Sequence, residues 1–298
     1  MRSPVSVDLR AAILAWYLER GRPLAFRRTS DPYAILVSEA MAQQTQAARA
    51  AAHWERFMER FPTVEVLAAA TPATVLRAWQ GLGYDRRALA LWRAARVIVN
   101  EHGGRVPMTL DELGALPGVG PYTARAVAAL AFGAAVGAVD VNVRRVLGRI
   151  VAGAANELSQ IELQEVADAA VPPDRPGEWT HALMDIGATL CRPRAPRCED
   201  CPARPWCRYA AARAQDVPVV TPRSARPAAA FSSTTRWLRG RILDRLRLAP
   251  DGDWVELDGP IGQHGTPKIR RAATAMAVDG VIELAPGDGT LRARLPLG

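Results

Sequence analysis

The fold of this 298-residue chain is decided by the stretch Leu116-Pro117-Gly118-Val119-Gly120-Pro121-Tyr122-Thr123-Ala124. The flanking sequence predicts a short helix over 109–115 and a second, mostly apolar helix over 122–132. Gly118 and Gly120 permit positive φ and a close backbone approach, and Pro121 suits the first position of a helix. The free N–H groups at such a helix start attract an anion. The pattern predicts a hairpin that grips a DNA phosphate through Gly118, Val119 and Gly120, although an ordinary turn between two helices would look the same.

The composition indicates a globular protein of about two domains with a polyanionic partner. The net charge is +8, and Lys268 is the only lysine, so a lysine Schiff base is excluded in any site built from residues 1–267. No apolar run is long enough to span a bilayer, and no signal-peptide pattern is present. We therefore expect a cytoplasmic, nucleoid-associated monomer without a membrane partner.

Four cysteines lie close together near the end of the first two thirds of the chain. Cys191, Cys198, Cys201 and Cys207 follow the spacing Cys-x6-Cys-x2-Cys-x5-Cys. In a cytosolic protein such a group indicates a metal rather than disulfides. From the spacing alone, a [4Fe–4S] cluster and a structural zinc ion remain equal alternatives.

Two carboxylates are candidates for chemistry. Glu39 lies among Val37, Ala40 and Met41 on a predicted helix, which is an unfavourable setting for a charged group. Asp140 follows the hairpin and precedes an arginine-rich helix with Arg144, where it could also be a plain helix cap. A neutral acid and an ionised partner together suit cleavage of a glycosidic bond through an oxocarbenium-like state.

Several segments together resemble one family. They are LPGVGPYTA at 116–124, VDVNVRRVLGRI at 139–150, MDIGATLC at 184–191, SEAMAQQTQ at 38–46, FMERFPTV at 57–64 and GLGY at 81–84. Over residues 8 to 210 the chain is similar to the helix-hairpin-helix DNA glycosylases with an iron–sulfur loop, and most of all to the MutY adenine glycosylases. The resemblance implies a mainly α fold of two helical subdomains, a [4Fe–4S] cluster on the four cysteines and double-stranded DNA with a mispair as partner.

The resemblance also implies roles for single residues. Glu39 matches the acid that protonates N7 of the flipped adenine, and Asp140 matches the aspartate that stabilises the oxocarbenium ion. Asn142 matches an asparagine that orients the site. Tyr122 stands where bifunctional relatives have a lysine, which agrees with hydrolysis by water. For DNA, Gln44 and Tyr84 match residues that wedge into the duplex. Gln43 shares a predicted helix face with Glu39 and is included among the DNA-binding candidates with Arg144.

The chain departs from this family in places that concern specificity. Ala42, Asp85 and Val141 replace a leucine, an aromatic residue and a glycine, and Phe26 stands where tryptophan is common. The C-terminal part is too short for the Nudix-like domain of typical members. We predict a glycosylase domain over 1–213 with its iron–sulfur loop at 191–207, a linker over 214–230 and a small α+β, winged-helix-like domain over 231–298.

Three functions follow from these observations. The first is a monofunctional glycosylase that removes adenine opposite 8-oxoguanine or guanine in base excision repair. The second is a related mismatch glycosylase that acts on thymine or uracil opposite guanine. The third is a non-catalytic DNA-binding iron–sulfur protein, which the presence of both Glu39 and Asp140 disfavours.

Overall fold

The computed structural model describes residues 5–153, 158–215, 230–287 and 289–298, and these residues are mainly helical. Most of the predicted linker, 214–230, lies outside the described residues. The α-helices of the described residues are α1 (Val7–Arg20), α2 (Pro32–Ala42), α3 (Ala47–Arg60), α4 (Val64–Ala69), α5 (Pro72–Ala78), α6 (Arg86–His102), α7 (Leu110–Ala115), α8 (Pro121–Phe132), α9 (Val141–Val151), α10 (Gln160–Ala170), α11 (Pro176–Thr189), α12 (Arg208–Ala214), α13 (Thr235–Leu248) and α14 (Thr266–Val278). The strands are β1 (Val255–Glu256), β2 (Glu283–Leu284) and β3 (Arg292–Arg294). No described helix is long and apolar enough to cross a membrane.

The chain divides into two compact units. The first contains the described residues of Met1–Glu39 and Val106–Arg223, and the second contains those of Ala40–Arg105 and Ser224–Gly298. The domain boundaries predicted from the sequence, 1–213 and 231–298, remain a prediction.

The first unit is built around α11. Its apolar face packs on α1, α8 and α9. The buried side chains of this core include Leu9, Ile13, Val146, Leu147, Leu163, Trp179 and Ile186. Ser6, Thr109, Asp140 and Ser159 each cap a helix with the side-chain oxygen, so the starts of α1, α7, α9 and α10 are fixed locally.

The predicted helix-hairpin-helix is present as α7 and α8. Gly118 has a φ of 79°, which favours glycine, whereas Gly120 is extended with a φ of −89° and forms the N-cap of α8. Both glycines permit positive φ, but only Gly118 adopts it. Pro121 begins α8 as predicted, where its missing N–H is not required. Gly118 and Gly120 are exposed, whereas Val119 between them is buried and its amide donates to the Leu116 carbonyl at 3.1 Å.

The second unit begins with a break that the sequence does not show. The pattern predicts one helix from Pro32 to Ala51, but α2 ends at Ala42 and α3 begins at Ala47. The same unit buries Trp79 and Phe57, whose rings meet edge to face with centroids 6.0 Å apart. Helix α6 packs against α4 and α5.

The C-terminal part of the second unit is a small α+β structure, as predicted. Helix α13 packs on α14, and the three strands form an antiparallel sheet in the order β1-β3-β2. Val255 pairs with Ala293, and Leu284 also pairs with Ala293 from the other side. The sequence predicts two short strands over 281–284 and 291–295 joined by a Pro-Gly-Asp-Gly turn, and these contain β2 and β3, whereas β1 was not predicted.

Candidate active site

Glu39 lies on α2 in the first unit and is buried. Asp31 caps this helix by accepting hydrogen bonds from the amides of Tyr33 at 3.3 Å and Ala34 at 3.0 Å. The Glu39 side chain accepts a hydrogen bond from the Tyr122 hydroxyl and feels the charge of Asp140. Burial is the main effect and raises the pKa of Glu39 to about 7, because the hydrogen bond from Tyr122 only partly offsets the lost hydration. Glu39 is therefore a carboxyl group that can hold a proton near neutral pH.

Tyr122 stands on the first turn of α8 beside Glu39. Burial, together with the charges of Glu39 and Asp140, raises the pKa of this phenol well above its ordinary value. The hydroxyl therefore stays protonated and acts as a hydrogen-bond donor toward Glu39.

Asp140 is the N-cap of α9, and its carboxylate has a fixed orientation. One oxygen accepts from the backbone amides of Asn142 at 2.8 Å and Val143 at 2.7 Å. The other oxygen accepts from the Asn142 side-chain amide at 2.8 Å. The capping role and the predicted catalytic role are compatible, since capping aims the carboxylate rather than neutralising it.

Asn142 is itself held by two features of the first unit. Arg145 donates to the Asn142 side-chain oxygen at 2.8 Å, to the Gly187 carbonyl at 2.7 Å and to the Cys191 carbonyl at 2.6 Å. A Cβ at Gly187 would lie 2.5 Å from Cβ of Asn142, so only glycine lets α11 approach α9 this closely. The Asp140 carboxylate is thus connected through Asn142 and Arg145 to the start of the cysteine loop.

A cavity of about 190 Å³ lies in the same unit next to α2. Its wall is formed by Phe26, Arg27, Thr29, Ile35, Ser38, Leu130, Gly177, Glu178 and His181. Arg27 pairs with the fully buried Asp185 through two hydrogen bonds of 2.8 Å, and its buried Nε has no hydrogen-bond partner among the described residues. Burial lowers the pKa of His181 to about 3, so this imidazole is neutral. The cavity therefore combines an aromatic ring, a guanidinium and a neutral imidazole.

The predicted wedge residues lie on two turns of the second unit. Gln44 has a φ of 53° and is exposed, and Tyr84 has a φ of 51° and is 38% exposed. Such backbone is unusual for residues other than glycine and often marks functional turns. Gln43 lies beside Gln44 after the end of α2, so it does not share a helix face with Glu39 as predicted.

Arg87 joins these two turns and was not predicted. Its guanidinium donates to the carbonyls of Ala40 at 3.0 Å and Gly83 at 3.0 Å, and to the carbonyl of Gln43. It also lies 5.4 Å from the centroid of the Tyr84 ring. One half-buried cation therefore holds the backbone of both turns. No local pattern shows this, because Arg87 lies 44 to 47 positions from Gln43 and Ala40.

The four cysteines all line one small cavity in the first unit. Its other lining residues include Arg149, Leu190 and Tyr209. Arg149 donates to the Arg192 carbonyl at 2.8 Å and contacts the Cys191 sulfur at 3.4 Å, and its guanidinium lies 4.3 Å from the Tyr209 ring centroid. No group of three or more histidine, cysteine, aspartate and glutamate side chains is arranged to hold a metal ion in the described part of the chain. The cysteines surround a common space rather than converging on one point.

Comparison with known proteins places these features in a family. The model of the HhH-GPD superfamily base excision DNA repair protein matches residues 37–172. An adenine DNA glycosylase of Mycolicibacterium smegmatis is 41% identical over 91% of this chain and 91% of its own length. An adenine DNA glycosylase of Mycobacterium tuberculosis is 45% identical over 93% of both chains. The chain belongs to the adenine DNA glycosylase family.

Solved structures support the fold. A thermostable thymine-DNA glycosylase superposes with a TM-score of 0.64 at 33% identity, over 68% of this chain and 94% of that one. An endonuclease III–DNA complex superposes with a TM-score of 0.60 at 24% identity, over 70% and 97% of the two chains, and supports the fold alone. The human adenine DNA glycosylase is 42% identical over 67% of this chain and 39% of its own length.

The structure brings the predicted catalytic residues together and also the predicted metal ligands. Glu39, Tyr122, Asp140 and Asn142 form one connected group, and the cysteines form another. Gly118, Val119 and Gly120 form the hairpin turn, and Arg144 lies one turn into α9. Sequence analysis missed Arg27, Asp185, Gly187 and Arg87 as site residues, because their partners are distant along the chain. The catalytic and DNA-binding roles of these residues remain predictions.

Proposed function

We propose that this adenine DNA glycosylase family member removes adenine from a mispair with 8-oxoguanine or guanine, by hydrolysis of the N-glycosidic bond after base flipping. The observation that carries the proposal is the buried Glu39 beside Tyr122 and Asp140. A flipped base is required because the bond is inaccessible inside the stacked duplex. The cavity between Phe26, Arg27 and His181 offers stacking and hydrogen-bonding groups for such a base.

The two carboxyl groups have different tasks in this proposal. Glu39 holds a proton near neutral pH and donates it to N7 of adenine, so that the base leaves as a neutral molecule. The Asp140 carboxylate stabilises positive charge at C1′ of the sugar as the bond breaks. Its three hydrogen bonds from Asn142 and Val143 keep it oriented for that task without reorganisation. Water then adds to C1′ of the sugar and gives its proton to the Glu39 carboxylate, which returns to the neutral acid. No lysine is available in residues 1–267 to form a Schiff base.

DNA is held by separate parts of the chain. The predicted turn of Gly118, Val119 and Gly120 offers the amides of its two exposed glycines to a phosphate, while the Val119 amide donates to the Leu116 carbonyl at 3.1 Å. Arg144 adds a positive charge. Gln43, Gln44 and Tyr84 occupy turns suited to insertion beside the mispaired base. A net charge of +8 supports binding to the phosphate backbone.

We further propose that Cys191, Cys198, Cys201 and Cys207 hold a [4Fe–4S] cluster. The four sulfurs surround one cavity, and a cluster of four irons needs ligands spread around a space rather than meeting at one point. Arg149 and Tyr209 close the wall. When bound, such a cluster supplies structural cross-linking of the loop. This chain's own residues hold Asp140 in place through Arg145.

The decisive test is single-turnover cleavage of a duplex that carries adenine opposite 8-oxoguanine. We expect release of adenine by the wild type and a loss of about 10²- to 10⁴-fold in rate for Glu39→Gln, which cannot donate the proton. Glu19→Gln removes an exposed acid from α1 and serves as the matched control. Full activity of Glu39→Gln contradicts the proposal. Release of thymine or uracil opposite guanine in place of adenine would transfer the function to the second class of substrate.

A further inference from the structure

The C-terminal part of the second unit contacts the turn that carries Tyr84. In this turn Gly81, Gly83 and Tyr84 have φ values of 92°, 68° and 51°. A tyrosine in the left-handed region keeps that conformation only when its surroundings impose it. Part of this support is local, because the Trp79 indole and Arg87 both donate to the Gly83 carbonyl, at 3.2 and 3.0 Å.

The remaining support comes from α13. Arg236 donates to the Tyr84 hydroxyl at 3.1 Å, and its guanidinium carbon lies 4.2 Å from the centroid of the Tyr84 ring. A guanidinium in this position makes both a hydrogen bond and a cation–π contact. The same side chain also passes Gly83, where an added Cβ would lie 3.5 Å from its Nη2 atom. Arg236 therefore contacts Tyr84 and lies close to Gly83, the residue before it.

The next residue, Asp85, is held by the same helix. Arg247 donates to the Asp85 carboxylate at 2.7 Å, with side-chain exposures of 7% for Arg247 and 16% for Asp85. Arg247 also donates to the Leu76 carbonyl at 3.2 Å. An ion pair this buried requires a defined geometry. Asp85 replaces the aromatic residue expected from the family resemblance, and this contact gives the replacement a physical reason.

We infer that the C-terminal residues 230–298 are a positioning element for the Tyr84 turn, with Arg236 and Arg247 as positioning residues for the reading of the base pair. This inference rests on the proposed function of Tyr84 as a DNA probe. The ring is 38% exposed, so Arg236 restrains it without covering it. A restrained ring enters the duplex in one orientation. The Tyr84 ring then presents the same fixed surface to 8-oxoguanine and to guanine, so the two bases are distinguished by how well they fit it.

The test compares Arg236→Ala with two related variants of the full-length chain. Arg236→Lys keeps the charge but not the planar guanidinium, and Arg271→Ala removes the same charge from an exposed position of α14. Single-turnover rates are measured on adenine opposite 8-oxoguanine, opposite guanine and opposite an abasic site. Melting temperatures confirm that each variant is folded. Hydrogen exchange of residues 81–86 without DNA reports on the turn itself.

We expect Arg236→Ala to lower the rate ratio of 8-oxoguanine over guanine about two- to tenfold, to leave the rate opposite an abasic site within about twofold, and to accelerate exchange at 81–86. We expect Arg236→Lys to fall between this variant and the wild type, and Arg271→Ala to match the wild type. In the double variant Arg236→Ala/Tyr84→Ala, the ratio should equal that of Tyr84→Ala alone, because Arg236 acts through Tyr84.

Three results overturn the inference. The first is an unchanged rate ratio together with unchanged hydrogen exchange at residues 81–86 in Arg236→Ala. The second is a rate ratio in the double variant that reflects the product of the two single-variant effects. The third is a loss of the rate ratio in Arg271→Ala equal to the loss in Arg236→Ala. Failure of the proposed function is a different result, since the wild type would then release no adenine from any duplex. In that case the exchange measurement alone decides whether Arg236 positions the turn.

Discussion

At the scale of single residues, the burial of the Glu39 carboxyl group lowers the free energy of unfolding when this group is ionised. Its pKa is raised from 4.5 to about 7, mainly by burial. Below pH 4.5 the group is neutral in both the folded and the unfolded chain. As the pH rises through 7 the folded protein loses stability, by roughly 1 to 3 kcal/mol once the group is ionised in both states. A buried acid therefore lowers the free energy of unfolding at neutral and alkaline pH.

We predict that Glu39→Gln melts at a higher temperature than the wild type at pH 8, by about 2–4 °C for each kcal/mol recovered. The difference should shrink as the pH is lowered to 5, because the wild-type side chain is then neutral as well. Thermal melts across this range, with Glu19→Gln as control, check it. A difference of equal size at pH 5 and pH 8 would show that protonation is not its source.

The sequence indicated Glu39 and Asp140 but not the residues that hold them. Glu39 was visible because its neighbours along α2 are apolar, and Asp140 because it precedes a helix. Gly187 packs against Asn142 from 45 positions away. Arg145 is only three positions from Asn142, but it is held by the Gly187 carbonyl, 42 positions away. No local pattern carries such information, because it exists only once α9 and α11 are packed.

At the scale of elements, the contact of α9 with α11 fixes the site. We predict that Gly187→Ala destabilises the protein by about 1–3 kcal/mol, because the new Cβ would lie 2.5 Å from Cβ of Asn142. The excision rate should fall more than stability alone explains, since the movement of Asn142 disturbs its 2.8 Å hydrogen bond to Asp140. Denaturant unfolding and single-turnover rates measure the two effects. Gly240→Ala, at a helical glycine with nothing within 4 Å of an added Cβ, is the control and should lose neither.

The break between α2 and α3 was not predicted, and its cause is a contact that local sequence patterns do not show. Residues 43–46 contain no glycine or proline, so helix propensity predicts that the helix continues. Arg87 instead captures the carbonyls of Ala40, Met41 and Gln43, which an uninterrupted helix would use internally. The left-handed Gln44 follows from this capture. Here a tertiary contact outweighs the local preference for helix, and Gln44 is left exposed.

At the scale of the whole molecule, composition predicted a polyanionic partner and the family resemblance implied the helical fold, while the grouping of distant segments was not visible. The described C-terminal residues belong to the same compact unit as residues 40–105. Their contacts join Arg77 to the carbonyls of Arg247 at 3.3 Å and Ala249 at 2.8 Å, which are 170 and 172 positions away. A proline- and alanine-rich stretch between them suggests separate bodies from the sequence alone.

These contacts lead to a prediction for a chain that ends at residue 223. Helix α5 then loses the acceptors of Arg77 and the hydrogen bond of 3.0 Å from the Ala73 amide to the Pro296 carbonyl. Asp85 is left without its partner Arg247, and a buried carboxylate without its cation is costly. We therefore expect faster amide exchange in α5 and α6, with exchange in α9 and α11 unchanged. Hydrogen-exchange mass spectrometry of the truncated and full-length chains measures this, with full-length Arg271→Ala as control. Equal protection of α5 and α6 in both chains would mean that residues 40–105 hold their structure without the C-terminal part.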